Sequence, residues 1–211
     1  MINFDPSLYF ITDSSSYTEE EFLRRVEQGL MGGATLLQLR EKDKSTREYI
    51  ELAQKVHAIT KRYNVPLIID DRVDVALAIG AEGVHVGASD MPVATARKLM
   101  GDKKIVGATA KTVPWALKAY EQGADYLGVG AVFPSPTKKT AIRITTEQLK
   151  EICSSVSIPA VAIGGISLEN VGEIAGGGMA GIAVVSAIFG ADEIRTAAKQ
   201  LKAEALRVTA L

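Results

Sequence analysis

Short apolar runs recur along the chain at positions 8–11, 35–39, 67–69, 83–86, 104–107, 126–129, 160–163 and 181–185, nearly continuous in Val, Ile, Leu and Ala. Unbroken apolar runs of this length suit strands buried on both faces, as in parallel sheets. Amphipathic stretches lie between them, among them 20–31, 47–63, 114–122 and 146–155. Thr18 followed by Glu21 has capping-box spacing, and Pro92 and Pro114 suit a first helical turn. Gly32–Gly33, Gly101, Gly123 and Gly176–Gly178 mark helix ends.

Eight strand–helix units account for the whole chain, which predicts an α/β fold: a single-domain (β/α)8 TIM barrel spanning residues 1–211. An open doubly wound sheet is the alternative. Against it, the turn after the first strand reads Thr12-Asp13-Ser14-Ser15-Ser16 and carries no G-x-G-x-x-G. The barrel directs attention to one end of the molecule, because barrel chemistry sits at the carboxyl ends of the strands.

Composition narrows the function classes. The chain has 211 residues, 47% of them hydrophobic and 23% charged, as a globular protein should. A net charge of −1 offers no global field for nucleic acid or an acidic membrane. Cys153 is the sole cysteine, which excludes an internal disulfide or a multi-cysteine metal site. No apolar run reaches membrane-spanning length, and MINFDPSLYF lacks the layout of a signal peptide, so a cytoplasmic setting is expected.

Sorting polar residues by strand end isolates a candidate site. The run Ala124–Lys139, ADYLGVGAVFPSPTKK, takes an apolar strand into a loop with Ser135, Thr137, Lys138 and Lys139, stiffened by Pro134 and Pro136. Hydroxyls beside cations suit a phosphorylated ligand, whose oxygens need strong donors in place of water. After the second strand, Gln38, Arg40 and Lys42 project to one side of an extended chain. A buried amide such as Gln38 needs a partner. Asp70-Asp71 follow the third strand and Asp90 follows the fourth. Two carboxylates from adjacent strand ends, facing phosphates, describe a Mg²⁺ site that keeps several waters; helix capping, or a pair between Asp71 and Arg72, is the structural alternative. Thr109 could donate to a ligand, and Thr112 reads as an N-cap. Gly164-Gly165 and Val185-Ser186 fall where barrels often bind phosphate. His57, Trp115 and Cys153 read as packing; His85 lies inside a strand, with no triad or metal cluster beside it. Lys111 and Arg143 could reach a ligand as single charges.

In order, QLREK, the aspartate pair before Arg72, GVHVG-x-x-D, ADYLGVGAVFPSPTKK, IGGI and VVSAI resemble the thiamine-phosphate synthase (thiamine-phosphate pyrophosphorylase) family over essentially the full length. The resemblance implies a Mg²⁺-dependent transferase acting on two phosphorylated small molecules. It would join 4-amino-2-methyl-5-(diphosphooxymethyl)pyrimidine to 4-methyl-5-(2-phosphoethyl)thiazole by dissociative displacement, releasing pyrophosphate. It also implies that Gln38, Arg40, Lys42, Asp70, Thr109 and Lys138 bind the pyrimidine diphosphate, with Arg40, Lys42, Thr109 and Lys138 catalytic. Asp71 and Asp90 would hold Mg²⁺, and Ser135, Pro136, Thr137, Gly165, Val185 and Ser186 the thiazole phosphate. This chain departs from the family's usual residues with Asp70 for Asn, Ala88 for Gln and Thr109 for Ser. A thiazole tautomerase-like isomerase on the same scaffold is the nearest alternative. Another phosphosugar barrel enzyme and a non-catalytic thiamine-phosphate sensor stand behind it.

Overall fold

In the computed structural model, which describes residues 4–134 and 143–210, eight parallel strands close a barrel in chain order. They are β1 Leu8–Ile11, β2 Leu36–Leu39, β3 Leu67–Asp70, β4 Gly83–Val86, β5 Ile105–Ala110, β6 Tyr126–Gly130, β7 Ala160–Ile163 and β8 Gly181–Val184. β1 pairs with both β2 and β8, which completes the cylinder and removes every open strand edge. The alternative of an open sheet is thereby excluded.

The apolar positions divide by alternation, as strand geometry requires. Tyr9, Ile11, Leu36, Ile68, Ile105, Tyr126, Val161 and Ala183 pack together inside the barrel. The intervening Leu8, Phe10, Leu37, Leu39, Leu67 and Ile69 join the larger core beneath the helices.

The helices are α1 Glu19–Met31, α2 Thr46–Arg62, α3 Val73–Ile79, α4 Val93–Met100, α5 Val113–Glu121, α6 Thr146–Ser154, α7 Ser186–Phe189 and α8 Ile194–Thr209. Ser45 with Glu48 and Thr145 with Gln148 form complete capping boxes at α2 and α6. At α1 only half the box forms: Thr18 caps the Glu21 amide, while the Glu21 carboxylate turns to Arg24 and Arg25. Thr112 caps α5, with Pro114 in its first turn, as expected.

Four sequence expectations need correction. Pro92 stands at the N-cap of α4, in an extended conformation, rather than inside its first turn. No α-helix forms between β7 and β8; the chain makes one 3-10 turn, Val171–Ile174, because Gly172, Gly176, Gly177 and Gly178 make a helix there costly. The final helix divides into the short α7 and the long α8. Trp115 is exposed on α5 rather than packed. Cys153 is buried, and His57 is buried with its Nε2 3.0 Å from Glu82 Oε1, so both are packing residues. No helix of the described residues is long and apolar enough to cross a membrane.

Candidate active site at the barrel mouth

A cavity of about 300 Å³ opens at the carboxyl ends of the strands. Gln38, Arg40, Lys42, Asp70, Asp71, Asp90, Thr109, Gly165, Val185 and Ser186 all line it. Residues from six different strand ends thus converge on one chamber, although up to 148 positions separate them (Gln38 to Ser186). Ser135, Pro136, Thr137 and Lys138 lie outside the described residues.

At the end of β2 the chain stays extended long enough for Gln38, Arg40 and Lys42 to face the same way. Lys42 Nζ donates to Asp70 Oδ2 at 2.9 Å and also to Asp71. Arg40 Nε lies 3.8 Å from the same Asp70 oxygen. Asp70 is buried, and desolvation together with the Asp71 charge pushes its carboxyl up to about 6, against the pull of Lys42 and Arg40. Its oxygens face the two cations, so Asp70 serves here as the anchor that holds Arg40 and Lys42 side by side.

Asp71 adopts a left-handed backbone, φ 61°, a conformation that Asp tolerates better than most side chains. The turn is fixed from both sides, by Asp71 N donating to His85 O at 2.8 Å and by Arg72 N donating to Asp70 O at 2.7 Å. Strained backbone of this kind gathers at functional sites. Arg72 pairs with Asp74 and Thr46, not with Asp71, which leaves the Asp71 carboxylate facing the cavity.

There the Asp71 and Asp90 carboxyl groups lie close enough to shift one another's titration. Burial and then Asp71 push Asp90 up; against burial, the Lys42 hydrogen bond draws Asp71 down. The two acids disfavour each other's charge in the position where a divalent cation would satisfy both. Gly87 N fixes Asp90 with a 2.9 Å hydrogen bond to Oδ2.

On the opposite wall, Gly165 has φ 63°, and a Cβ there would fall 2.1 Å from Pro134 O. Only glycine lets the β7 loop approach the β6 loop this closely. Asn170 braces the turn: its Nδ2 donates to Gly165 O and its Oδ1 accepts from Ser167 N, each at 2.9 Å. Val185 and Ser186 enter the same wall where α7 begins.

Several participants escaped sequence reasoning. Ser89 lines the cavity, beside Lys111, which the sequence marks as a single charge able to reach a ligand. Glu41 lies with a buried side chain under the mouth, accepting from Ser14 Oγ at 2.6 Å and so tying the β1 loop to the β2 loop. His85 and Tyr9 form part of the floor. Burial holds the His85 imidazole at about 4, so the ring is neutral at physiological pH. Inward alternation along β4 was the available signal for His85; its partners, far away in sequence, were not visible.

A closed parallel barrel whose mouth gathers adjacent cations, paired carboxylates and a glycine-rich wall is an enzyme of the (β/α)8 class built for small molecules. Its family follows from sequence comparison. A family profile described as thiamine monophosphate synthase matches residues 8–188, and the chain belongs to that family. It is 50% identical over 204 residues to a thiamine-phosphate synthase of Methanobrevibacter smithii, covering 97% of each chain. A thiamine-phosphate synthase of Clostridium tetani is 47% identical over 199 residues, 94% of this chain and 95% of that one. Among solved structures, the thiamine phosphate pyrophosphorylase of Pyrococcus furiosus superposes with a TM-score of 0.88 at 41% identity, over 97% of both chains. The protein is accordingly an enzyme, a transferase of thiamine biosynthesis. Nothing among these relatives supports the tautomerase alternative.

Proposed function

We propose that this enzyme acts as a thiamine-phosphate synthase, joining an aminopyrimidine methyl diphosphate to a thiazole ethyl phosphate with loss of pyrophosphate. The observation that carries the reading is the gathering of Arg40, Lys42, Asp71 and Asp90 at the mouth of a barrel belonging to this family.

Arg40 and Lys42, held by Asp70, form a rigid dication against which a diphosphate can exchange its water. Gln38 and Thr109 sit deeper and would meet the pyrimidine ring. Gly165, Val185 and Ser186 would receive the thiazole phosphate, together with Ser135, Pro136 and Thr137. Lys138 would follow the departing pyrophosphate.

The donor set fits Mg²⁺. Asp71 and Asp90 supply two carboxylates that line the same chamber, leaving coordination positions for water and phosphate oxygens. When bound, the ion would absorb charge on the diphosphate leaving group.

The remaining contribution is positioning and electrostatics. Ionisation of the carbon–oxygen bond leaves a methylene cation stabilised by the electron-rich aminopyrimidine, and the thiazole nitrogen then attacks it. No protein nucleophile is required, and the neutral, fully partnered His85 is consistent with that.

The purified enzyme should release pyrophosphate when given both substrates and Mg²⁺. Absence of release at high enzyme concentration would contradict the proposal, whereas release that depends on both substrates supports it.

A further inference from the structure

A polar thread crosses the otherwise apolar barrel interior. Gln38 Nε2 on β2 donates to the Tyr9 hydroxyl on β1 at 2.7 Å. The Tyr9 and Tyr126 hydroxyls are 2.7 Å apart, bringing in β6. Tyr126 OH lies 3.0 Å from His85 Nδ1 on β4, and His85 Nε2 lies 3.0 Å from Thr109 Oγ1 on β5. Gln38, Tyr9, Tyr126 and His85 are all buried, yet each of their links in the thread has a partner. Both ends, Gln38 and Thr109, open into the cavity.

The barrel makes room for this arrangement by omitting side chains. A Cβ on Gly107 would lie 2.1 Å from the Tyr126 ring, and one on Gly128 would lie 3.2 Å from His85 Cε1. Inward positions of β5 and β6 are thus left empty to admit a tyrosine and a histidine. The interior around them is filled by Leu36, Ile68, Ile105 and Val161, which offer no competing partner.

The thread has a direction. Gln38 gives an N–H to Tyr9, so the Tyr9 proton is free to go to Tyr126, and the Tyr126 proton to Nδ1 of His85. That requires the proton of the neutral imidazole to sit on Nε2, from which it is donated to Thr109 Oγ1. The Thr109 hydroxyl proton is left for the cavity. At the other end, the Gln38 carbonyl oxygen remains as an acceptor. The cavity therefore meets an acceptor on the β2 side and a donor on the β5 side. A reversal at the Tyr9–Tyr126 link alone would leave the buried Tyr9 hydroxyl proton without a partner.

We propose that Tyr9, Tyr126 and His85 are positioning residues that fix the hydrogen-bond polarity of Gln38 and Thr109, and thereby select a 4-aminopyrimidine over a 4-oxopyrimidine. The inference rests on the substrate reading above. A 4-amino group is a donor beside a ring-nitrogen acceptor; a 4-oxo ring presents the inverse, an acceptor beside an N–H. The amino ring complements the Gln38 carbonyl acceptor and the Thr109 hydroxyl donor, whereas the oxo ring matches neither of these two groups. A mismatched ring leaves buried polar groups unpaired, which is the costly side of hydrogen bonding.

The experiment compares kcat/KM for the 4-amino and 4-oxo pyrimidine methyl diphosphates in wild type, Tyr126→Phe, Tyr9→Phe and the double variant. Each phenylalanine keeps the ring and removes one hydroxyl. Either cut should lower the amino-over-oxo preference by about tenfold or more, leaving the KM for thiazole phosphate unchanged. The second cut should add little, because both lie in one chain. A preference unchanged in both single variants of an active enzyme overturns the inference. Should the wild type fail to use the amino substrate, the substrate reading falls, and the thread is judged by a separate measurement on the unaltered interior. Nitrogen-15 NMR of His57→Gln protein, in which His85 is the remaining histidine, should show a neutral ring protonated on Nε2. A ring protonated on Nδ1, or on both nitrogens, at neutral pH contradicts it.

Discussion

Asp70 carries an unusual load for one side chain, because it aligns two cations while itself remaining buried. Its carboxyl is raised from 3.8 to about 6. A raised acid binds its proton more tightly in the folded chain, so its contribution favours folding below about pH 4 and is lost as pH climbs through 6. Asp70→Asn removes that dependence. In EDTA, stability of the variant relative to wild type should therefore improve between pH 4 and pH 7 by on the order of 1–3 kcal/mol, measured by denaturant titration; a constant difference would contradict the assignment. Asp71→Asn keeps a residue that tolerates the left-handed turn and removes the charge. Turnover at saturating Mg²⁺ should fall by more than the ~10–100-fold typical of losing a group behind a metal ligand. Thiazole phosphate binding, read by calorimetry, should not change. The special character of Asp71 was only half legible: its position after β3 pointed to a site, but its backbone conformation depends on the His85 carbonyl of the neighbouring strand.

The elements divide the labour between the two ends of the barrel. At the amino-terminal rim, Asp125 accepts from Val106 N at 2.8 Å and from Arg97, while Arg97 also donates to Gly123 O at 2.9 Å and Lys104 O at 2.7 Å. This hub fastens α4 to β5 and β6 far from the cavity. Asp125→Ala should cost about 3 kcal/mol in chemical denaturation, with kcat of the folded enzyme unchanged. At the mouth, Asn170 braces Gly165 rather than the barrel. Asn170→Ala should therefore raise the KM for thiazole phosphate several-fold and leave that for the pyrimidine diphosphate alone, as steady-state kinetics would show. Strands were readable in the sequence because two-sided burial leaves apolar runs such as 126–129 and 160–163. The seventh unit was not, since its place in the repeat suggested a helix that its glycines do not support. Trp115 misled for a related reason: aromatic character predicts burial, while its place on α5 exposes it.

Across the whole molecule, the (β/α)8 architecture converts scattered residues into a single chamber. Gln38, Arg40, Asp71, Asp90, Thr109 and Gly165 could be assembled from the sequence because strand ends in a barrel share one face, and that rule requires no knowledge of side-chain contacts. The floor beneath them could not. Tyr9 and Tyr126 are 117 positions apart, and nothing local to either announces that their hydroxyls meet. The pairing of Asp70 with Lys42 and Arg40 was likewise not legible, since the three are brought together only by the folded mouth. The central claim is that this mouth holds a diphosphate between the two cations and the carboxylate pair, with the second phosphate on the glycine-rich wall. It is tested most directly by a crystal structure with thiamine phosphate, pyrophosphate and Mg²⁺. The expected result is pyrophosphate against Arg40 and Lys42, with Mg²⁺ on Asp71 and Asp90, and the product phosphate beside Gly165 and Ser186. Pyrophosphate bound away from Arg40 and Lys42, or Mg²⁺ bound without either aspartate, would contradict it.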